Sequence, residues 1–131
     1  MIIQFHVPGL PQGKGRAKFS MSRAYTPAKT VAYEGLIGFY AGEAMKAREL
    51  LAGPIYLCIT ATFPVPPSWP KKRKADARYH IAKPDGDNIL KAVGDGCNTI
   101  VWHDDSHIAV AKITKVYGEP VGLDIIVEAL A

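Results

Sequence analysis

Apolar and polar residues alternate from Met1 to Val7, a period of two that predicts a half-buried strand. The period changes after Thr26-Pro27, a pair suited to cap a helix and open its first turn. Val31, Leu36, Phe39, Tyr40, Ala44 and Ala47 then recur at helical spacing, predicting a helix over about 27–50. Gly53-Pro54 ends it, and the β-branched and aromatic run IYLCITATF predicts a strand over 55–63. From Asp87 to about Asn98, Ile89, Leu90, Val93 and Cys97 fall on one helical face, opposite a stripe of Asp87, Lys91 and Asp95. Ile108–Tyr117 and Val121–Ala129 read as two strands, and Gly118-Glu119-Pro120 between them predicts a closing hairpin. The order β-α-β-loop-α-β-β implies an α+β fold, with a small mixed or antiparallel sheet of about four strands packed with two main helices. At 131 residues, a single domain spanning 1–131 is expected.

Two segments lack periodicity. Residues 9–20, GLPQGKGRAKFS, hold three glycines and a proline, so Lys14, Arg16 and Lys18 should lie on a basic loop or extended arm. Residues 64–78 hold four prolines and the run Lys71, Lys72, Arg73, Lys74, predicting a long connection with at most a short helical turn. These segments sharpen a charge asymmetry. Residues 1–83 carry 13 Lys and Arg against 4 Asp and Glu, whereas residues 84–131 carry 3 against 8. A basic surface attracts phosphate, and a concentrated set of carboxylates repels it unless cations intervene. The composition suits a polyanion-binding face beside a metal-dependent site, or charge spread over a solvated surface. Cys58 and Cys97 make no disulfide framework and read as buried free thiols. No apolar run is long enough to cross a bilayer, and Met1–Val7 reads as a strand instead of a signal peptide, so a soluble cytoplasmic protein is expected.

Residues 83–108, KPDGDNILKAVGDGCNTIVWHDDSHI, hold five of the seven aspartates. Asp85 and Asp87 lie two apart at a helix start broken by Pro84 and Gly86, where irregular backbone can aim both carboxylates at one point. Mg²⁺ is bound through one or a few carboxylates, with water and substrate phosphate completing the octahedron. Asp104 and Asp105, before a strand that could return beside the helix, offer a third carboxylate, of which Asp105 is preferred. Lys91, one turn beyond Asp87, is placed to reach a phosphate oxygen, and Asp95, one turn further, to pair with Lys91. The plainer alternatives are helix capping by Asp85 and Asp87, an exposed Lys91–Asp95 pair, and a polar turn at Asp104-Asp105.

Taken in order, Lys83-Pro84-Asp85-Gly86-Asp87-Asn88, then Lys91, Asp95 and Asn98, then Trp102-x-Asp104-Asp105 resemble the signature of the RusA family of Holliday junction resolvases. The Gly13-Lys14-Gly15-Arg16 arm extends the likeness more weakly. The resemblance implies a homodimeric endonuclease of phage or prophage type that nicks opposing strands of four-way DNA junctions in recombination and repair. Mg²⁺ would be its cofactor, with Mn²⁺ able to substitute and no nucleotide cofactor. It implies metal binding by Asp85, Asp87 and Asp105 and catalysis by these together with Lys91 as the catalytic lysine, while Asn88 and Asp104 support them. Lys14, Arg16, Lys18 and Lys71, Lys72, Arg73 and Lys74 would then hold the DNA backbone. Two positions depart from the pattern. His107 stands where relatives often have glutamine, and Gly94 and Gly96 should let the helix fray or bend, at up to about 1 kcal/mol each relative to alanine.

Two other readings compete. His103 and His107 imitate the zinc motif H-E-x-x-H, which would make a zinc hydrolase if residues 103–107 were helical. Alternatively, the acidic cluster only organises a loop, and the chain is a non-catalytic basic DNA-binding module.

Overall fold

The computed structural model describes residues 1–15, 18–20 and 23–130. Strands β1 (Ile2–Pro8), β4 (Ile55–Phe63), β5 (Ile108–Tyr117) and β6 (Gly122–Ala129) form one sheet in the order β1-β6-β4-β5. Short β2 (Lys18–Ser20) and β3 (Arg23–Tyr25) pair separately, turning part of the expected arm into a two-stranded ribbon. Helices α1 (Ala28–Met45) and α3 (Gly86–Cys97) pack on each other and on the sheet, and α2 (Lys71–Asp76) gives the basic run a short helix.

The sheet is mixed, and its order corrects the expected hairpin. β5 runs parallel to β4, whereas β6 crosses the end of β4 and inserts antiparallel between β4 and β1, so β5 and β6 are never neighbours. Burial explains the choice. Leu123, Ile125 and Val127 of β6 are all buried, which suits a central strand, while residues 109–112 of β5 are exposed and carry Lys112, as an edge strand should. Register stacks the core in rows across the sheet: Ile3, Val127 and Leu57, then Phe5, Ile125 and Ile59, then Val7, Leu123 and Ala61.

Helix α1 presents Thr30, Tyr33, Ile37, Ala41 and Met45 to this core. It stops earlier than the sequence suggests, because Lys46 and Ala47 turn left-handed (φ 51° and 59°) without a glycine to announce it. Gly94 and Gly96 do not end α3, which runs unbroken to Cys97. Their purpose is close approach. A β-carbon on Gly96 would sit 3.0 Å from the Glu34 carbonyl oxygen and from Ile37 Cβ, and one on Gly38 would sit 3.0 Å from the Gly96 oxygen, so these glycines set how closely α1 and α3 pack. Cys97 is buried, and burial pushes its thiol pKa up to about 12, consistent with an unreactive core residue. No described helix is long and apolar enough to cross a membrane.

Candidate metal and DNA site

The amino-terminal end of α3 is built around Asp85, whose extended backbone (φ −67°, ψ 149°) sets it as the N-cap and whose carbonyl accepts the Ile89 N–H at 3.1 Å. Its carboxylate accepts no capping hydrogen bond and stays exposed, as does that of Asp87 in the first turn. Asp87 Oδ1 takes the neighbouring Asn88 N–H at 3.0 Å. Its place in the first turn suits the positive end of the helix dipole.

Asp104 and Asp105 separate into two roles. Asp104 is the N-cap of a 3₁₀ turn, Asp105–His107, and accepts the Ser106 N–H at 3.1 Å; the Ser106 hydroxyl first, and then this N–H, hold its carboxyl below the ordinary range. Asp105 instead lies against α3, at the position where a residue larger than glycine would interfere: a β-carbon on Gly94 would stand 3.3 Å from both Cβ and Oδ2 of Asp105. Asp87, Leu90, Lys91, Gly94, Asp105, Ile108 and Ala111 line a single cleft of about 390 Å³. Lys91 stands on α3 one turn beyond Asp87 and lines the same cleft as Asp105. Among the described residues none of Asp85, Asp87, Lys91 and Asp105 is engaged in an ion pair.

The structure thus brings Asp87, Lys91 and Asp105 onto one cleft and puts Asp85 on the rim of the next. That second cleft, about 510 Å³, is lined by residues 10–15 with Lys29, Thr30, Lys83, Pro84, Asp85 and Asn88. Among the described residues, no three His, Cys, Asp or Glu side chains are gathered closely enough to enclose a metal ion. A magnesium site does not require such a cage, since one or two carboxylates suffice when water and phosphate supply the rest. A zinc site built on His103 and His107 does require a third protein ligand. Its helical spacing is also absent, because Asp104 between them is extended (φ −154°, ψ 149°). The zinc reading is thereby set aside.

The expected Lys91–Asp95 pair is replaced by a different one. Lys14 Nζ reaches Glu34 of α1 at 2.7 Å and Asp95 of α3 at 3.0 Å, and its backbone N–H donates to the Asn88 carbonyl at 2.9 Å. Burial opposes its charge, but the hydrogen bonds its ammonium donates to Glu34 and Asp95 outweigh this and raise its pKa. Lys14 therefore fastens the glycine-flanked loop to both helices and is paired with two carboxylates, partners that the sequence did not announce. Lys14→Met should lower stability by about 1–2 kcal/mol in urea denaturation, less than the roughly 3–5 of a fully buried pair because the three side chains are partly exposed. Adding Glu34→Gln to Lys14→Met should recover part of the loss.

Arg16 lies outside the described residues, as does the side chain of Lys18. Lys71, Lys72 and Lys74 are exposed on α2, while Arg73 is laid over the Trp69 ring at 3.7 Å. Lys29 and Lys83 were not singled out by the sequence, yet both line the cleft of Asp85. For Lys83 the signal was its place directly before Pro84-Asp85; for Lys29 there was only its charge. Gly94 supplies a local test of the geometry. Gly94→Ala should leave stability unchanged or slightly raised, since alanine favours helix by up to about 1 kcal/mol. Any reaction catalysed at this cleft should slow about 10-fold as Asp105 is displaced a few tenths of an ångström, read by single-turnover kinetics.

Comparison with known proteins now bears on the site. An uncharacterized protein of Bacillus subtilis (strain 168), YqaN, is 27% identical over 139 residues, covering 98% of this chain and 97% of its own. A family model described as endodeoxyribonuclease RusA matches residues 8–128. That match runs from the end of β1 into β6 and takes in α3 and the acidic turn facing it, so the chain belongs to the RusA family of endodeoxyribonucleases.

Proposed function

We propose that this protein is a Mg²⁺-dependent, homodimeric endonuclease that resolves four-way DNA junctions by symmetric nicking, with its chemistry on the cleft of Asp87, Lys91 and Asp105. The family's nucleases act on branched DNA and are generally dependent on a divalent metal. The observation that carries the reading for this chain is the placement on one open cleft of two carboxylates and a lysine that make no ion pair among the described residues.

The donor set fits a hard cation: the oxygens of Asp87 and Asp105 are free of ion pairs among the described residues. Those two residues would hold the ion, with Asp85 joining from the rim. Bound there, Mg²⁺ supplies positive charge to a phosphodiester and acidifies water for its hydrolysis. Lys91, exposed and one helical turn from Asp87 on the cleft it shares with Asp105, neutralises charge that builds on the phosphoryl oxygens. Lys29 and Lys83 hold the backbone phosphate next along the strand, and Lys71, Lys72 and Lys74 hold more distant ones, fixing register without reading sequence. Asn88 steadies the floor, since its carbonyl anchors Lys14 and its own N–H holds Asp87.

The test is incubation of the protein with labelled four-way junctions, flaps and linear duplex in Mg²⁺, in EDTA, and after Mg²⁺ is restored. Paired nicks in the junction that vanish in EDTA and return with Mg²⁺ are expected. Binding of all three DNAs without cleavage in Mg²⁺ or Mn²⁺ would identify a non-catalytic module instead.

A further inference from the structure

The two tryptophans separate sharply in the fold. Trp102 is wholly buried. Trp69 lies on the surface, packed edge-on against Tyr117 (centroids 5.2 Å apart, 64° between planes), with the Arg73 guanidinium 3.7 Å over its ring. Tyr117 in turn faces His80 at 5.1 Å, which stacks on Phe63 at 3.6 Å and 9°. The backbone builds this group: the Tyr117 N–H donates to the Arg78 carbonyl at 2.9 Å and the His80 N–H to the Lys115 carbonyl at 3.0 Å, laying residues 78–80 along the free edge of β5. Between them Tyr79 stays 58% exposed, with Arg78 5.2 Å from its ring. Trp69, Arg73, Arg78, Tyr79, Ile81 and Tyr117 thus border one cleft of about 510 Å³.

We propose that this cleft is a subsite for a single unpaired nucleobase of the DNA substrate, held by stacking on its aromatic and guanidinium faces. This rests on the reading of the protein as a DNA nuclease. Splayed-out bases are held in this way, between flat aromatic rings and arginine planes, and such stacking tolerates any base. Two arginine–aromatic pairs on one cleft supply those faces. The surrounding charge suits a phosphodiester: Lys71, Lys72 and Lys74 stand exposed on the neighbouring helix, against Asp76 as the acid on the cleft wall. The volume lies in the range of roughly 300–1,000 Å³ typical of pockets for small molecules, a size that admits one base and excludes a duplex.

Exposure points the same way. Ile81 is 94% exposed, whereas Ile3, Ile37, Ile55, Ile59, Ile89 and Ile125 are buried in the core. An isoleucine bare to water beside an aromatic cleft is covered when a base enters. Position then ties the subsite to the chemistry. A smaller cleft of about 300 Å³ shares Trp69 and Tyr117 with this one and Lys83 and Pro84 with the cleft of Asp85, so the subsite is joined to the cleft of Asp85, two residues from Asp87. A nucleotide displaced from pairing near the scissile phosphate can follow this connection.

The experiment uses intrinsic fluorescence in EDTA, where DNA binds without being cut. The protein is titrated with a short duplex carrying one unpaired thymine and with the same duplex fully paired. The unpaired base is expected to quench Trp69 emission and to strengthen binding, and Trp69→Phe to lose the quench. Tyr79→Ala, at an exposed position and with an unchanged melting temperature as its folding control, should weaken binding of the bulged duplex at least ~5-fold more than that of the paired duplex. Equal affinity of the wild type for both duplexes, equal losses on both in Tyr79→Ala, or a quench that survives in Trp69→Phe would each overturn the subsite. If the wild type cleaves junctions but shows any of these, the subsite alone falls; if it neither binds nor cleaves DNA, the nuclease reading falls with it.

Discussion

Asp87→Asn and Asp105→Asn should each reduce Mg²⁺-dependent junction cleavage on the order of 10³-fold, with binding of the same junction in EDTA unchanged or tighter. Each substitution keeps the side chain's size and removes one of the two carboxylates on the shared cleft, so a hard cation held there would lose a charged ligand. It also removes a negative charge from the path of a polyanion, which is why binding moves opposite to cleavage. Asp104→Asn provides the contrast. Its carboxylate is spent on the Ser106 N–H, and asparagine caps nearly as well, so cleavage should change less than about 10-fold. Asp85→Asn locates the edge of the site: a loss as large as that of Asp87→Asn would bring Asp85 into the ligand set from its place on the neighbouring cleft. Equal cleavage by wild type and Asp87→Asn would remove the assignment altogether. The readout is single-turnover rate on a labelled junction beside a gel-shift titration.

Trp102→Ala should be the most damaging substitution to stability, by about 3–5 kcal/mol and roughly 10 °C or more in melting temperature. Trp102 is fully buried, the largest of the side chains that are, and its indole N–H donates to Asn98 Oδ1 at 2.9 Å. Truncation leaves both a cavity and an unpaired amide oxygen. The surrounding turn depends on it: the Thr99 N–H donates to the Trp102 carbonyl at 2.7 Å while Thr99 is held at φ 65°, and the Leu51 N–H donates to Val101 at 2.7 Å. This turn carries the chain from α3 to Asp105, so cleavage should fall even below the melting temperature. Trp102→Phe refills most of the space and should recover more than half of the stability, measured by thermal and urea denaturation.

The sequence carried these elements to different degrees. The strand at 55–63 and the face of α3 were legible because their periodicity is strong and bounded by Pro and Gly, and the structure reproduces them within a residue. The end of α1 was not, because a left-handed turn at Lys46-Ala47 has no residue that marks it. The place of β6 was not, because alternation tells which face of a strand is buried and nothing of its neighbours. In the site, the Asp-x-Asp and Asp-Asp pairs were readable, and the separation of capping Asp104 from cleft-facing Asp105 became visible only with the backbone. The partners of Lys14 were hidden for a physical reason. A lysine among glycines looks free, and its two partners lie on helices 20 and 81 residues away. Gly94 and Gly96 were read as weaknesses of a helix when they are the gaps into which Asp105 and Ile37 fit.

The place of β6 between β1 and β4 has a consequence for synthesis of the chain. As the polypeptide leaves the ribosome, β1 and the parallel pair β4–β5 emerge first, and they have no hydrogen-bonding partner in common until residues 122–129 follow. The acidic segment and its lysine are exposed long before the sheet that fixes them can close. The cleft is therefore expected to become competent only when β6 has threaded into the centre of the sheet.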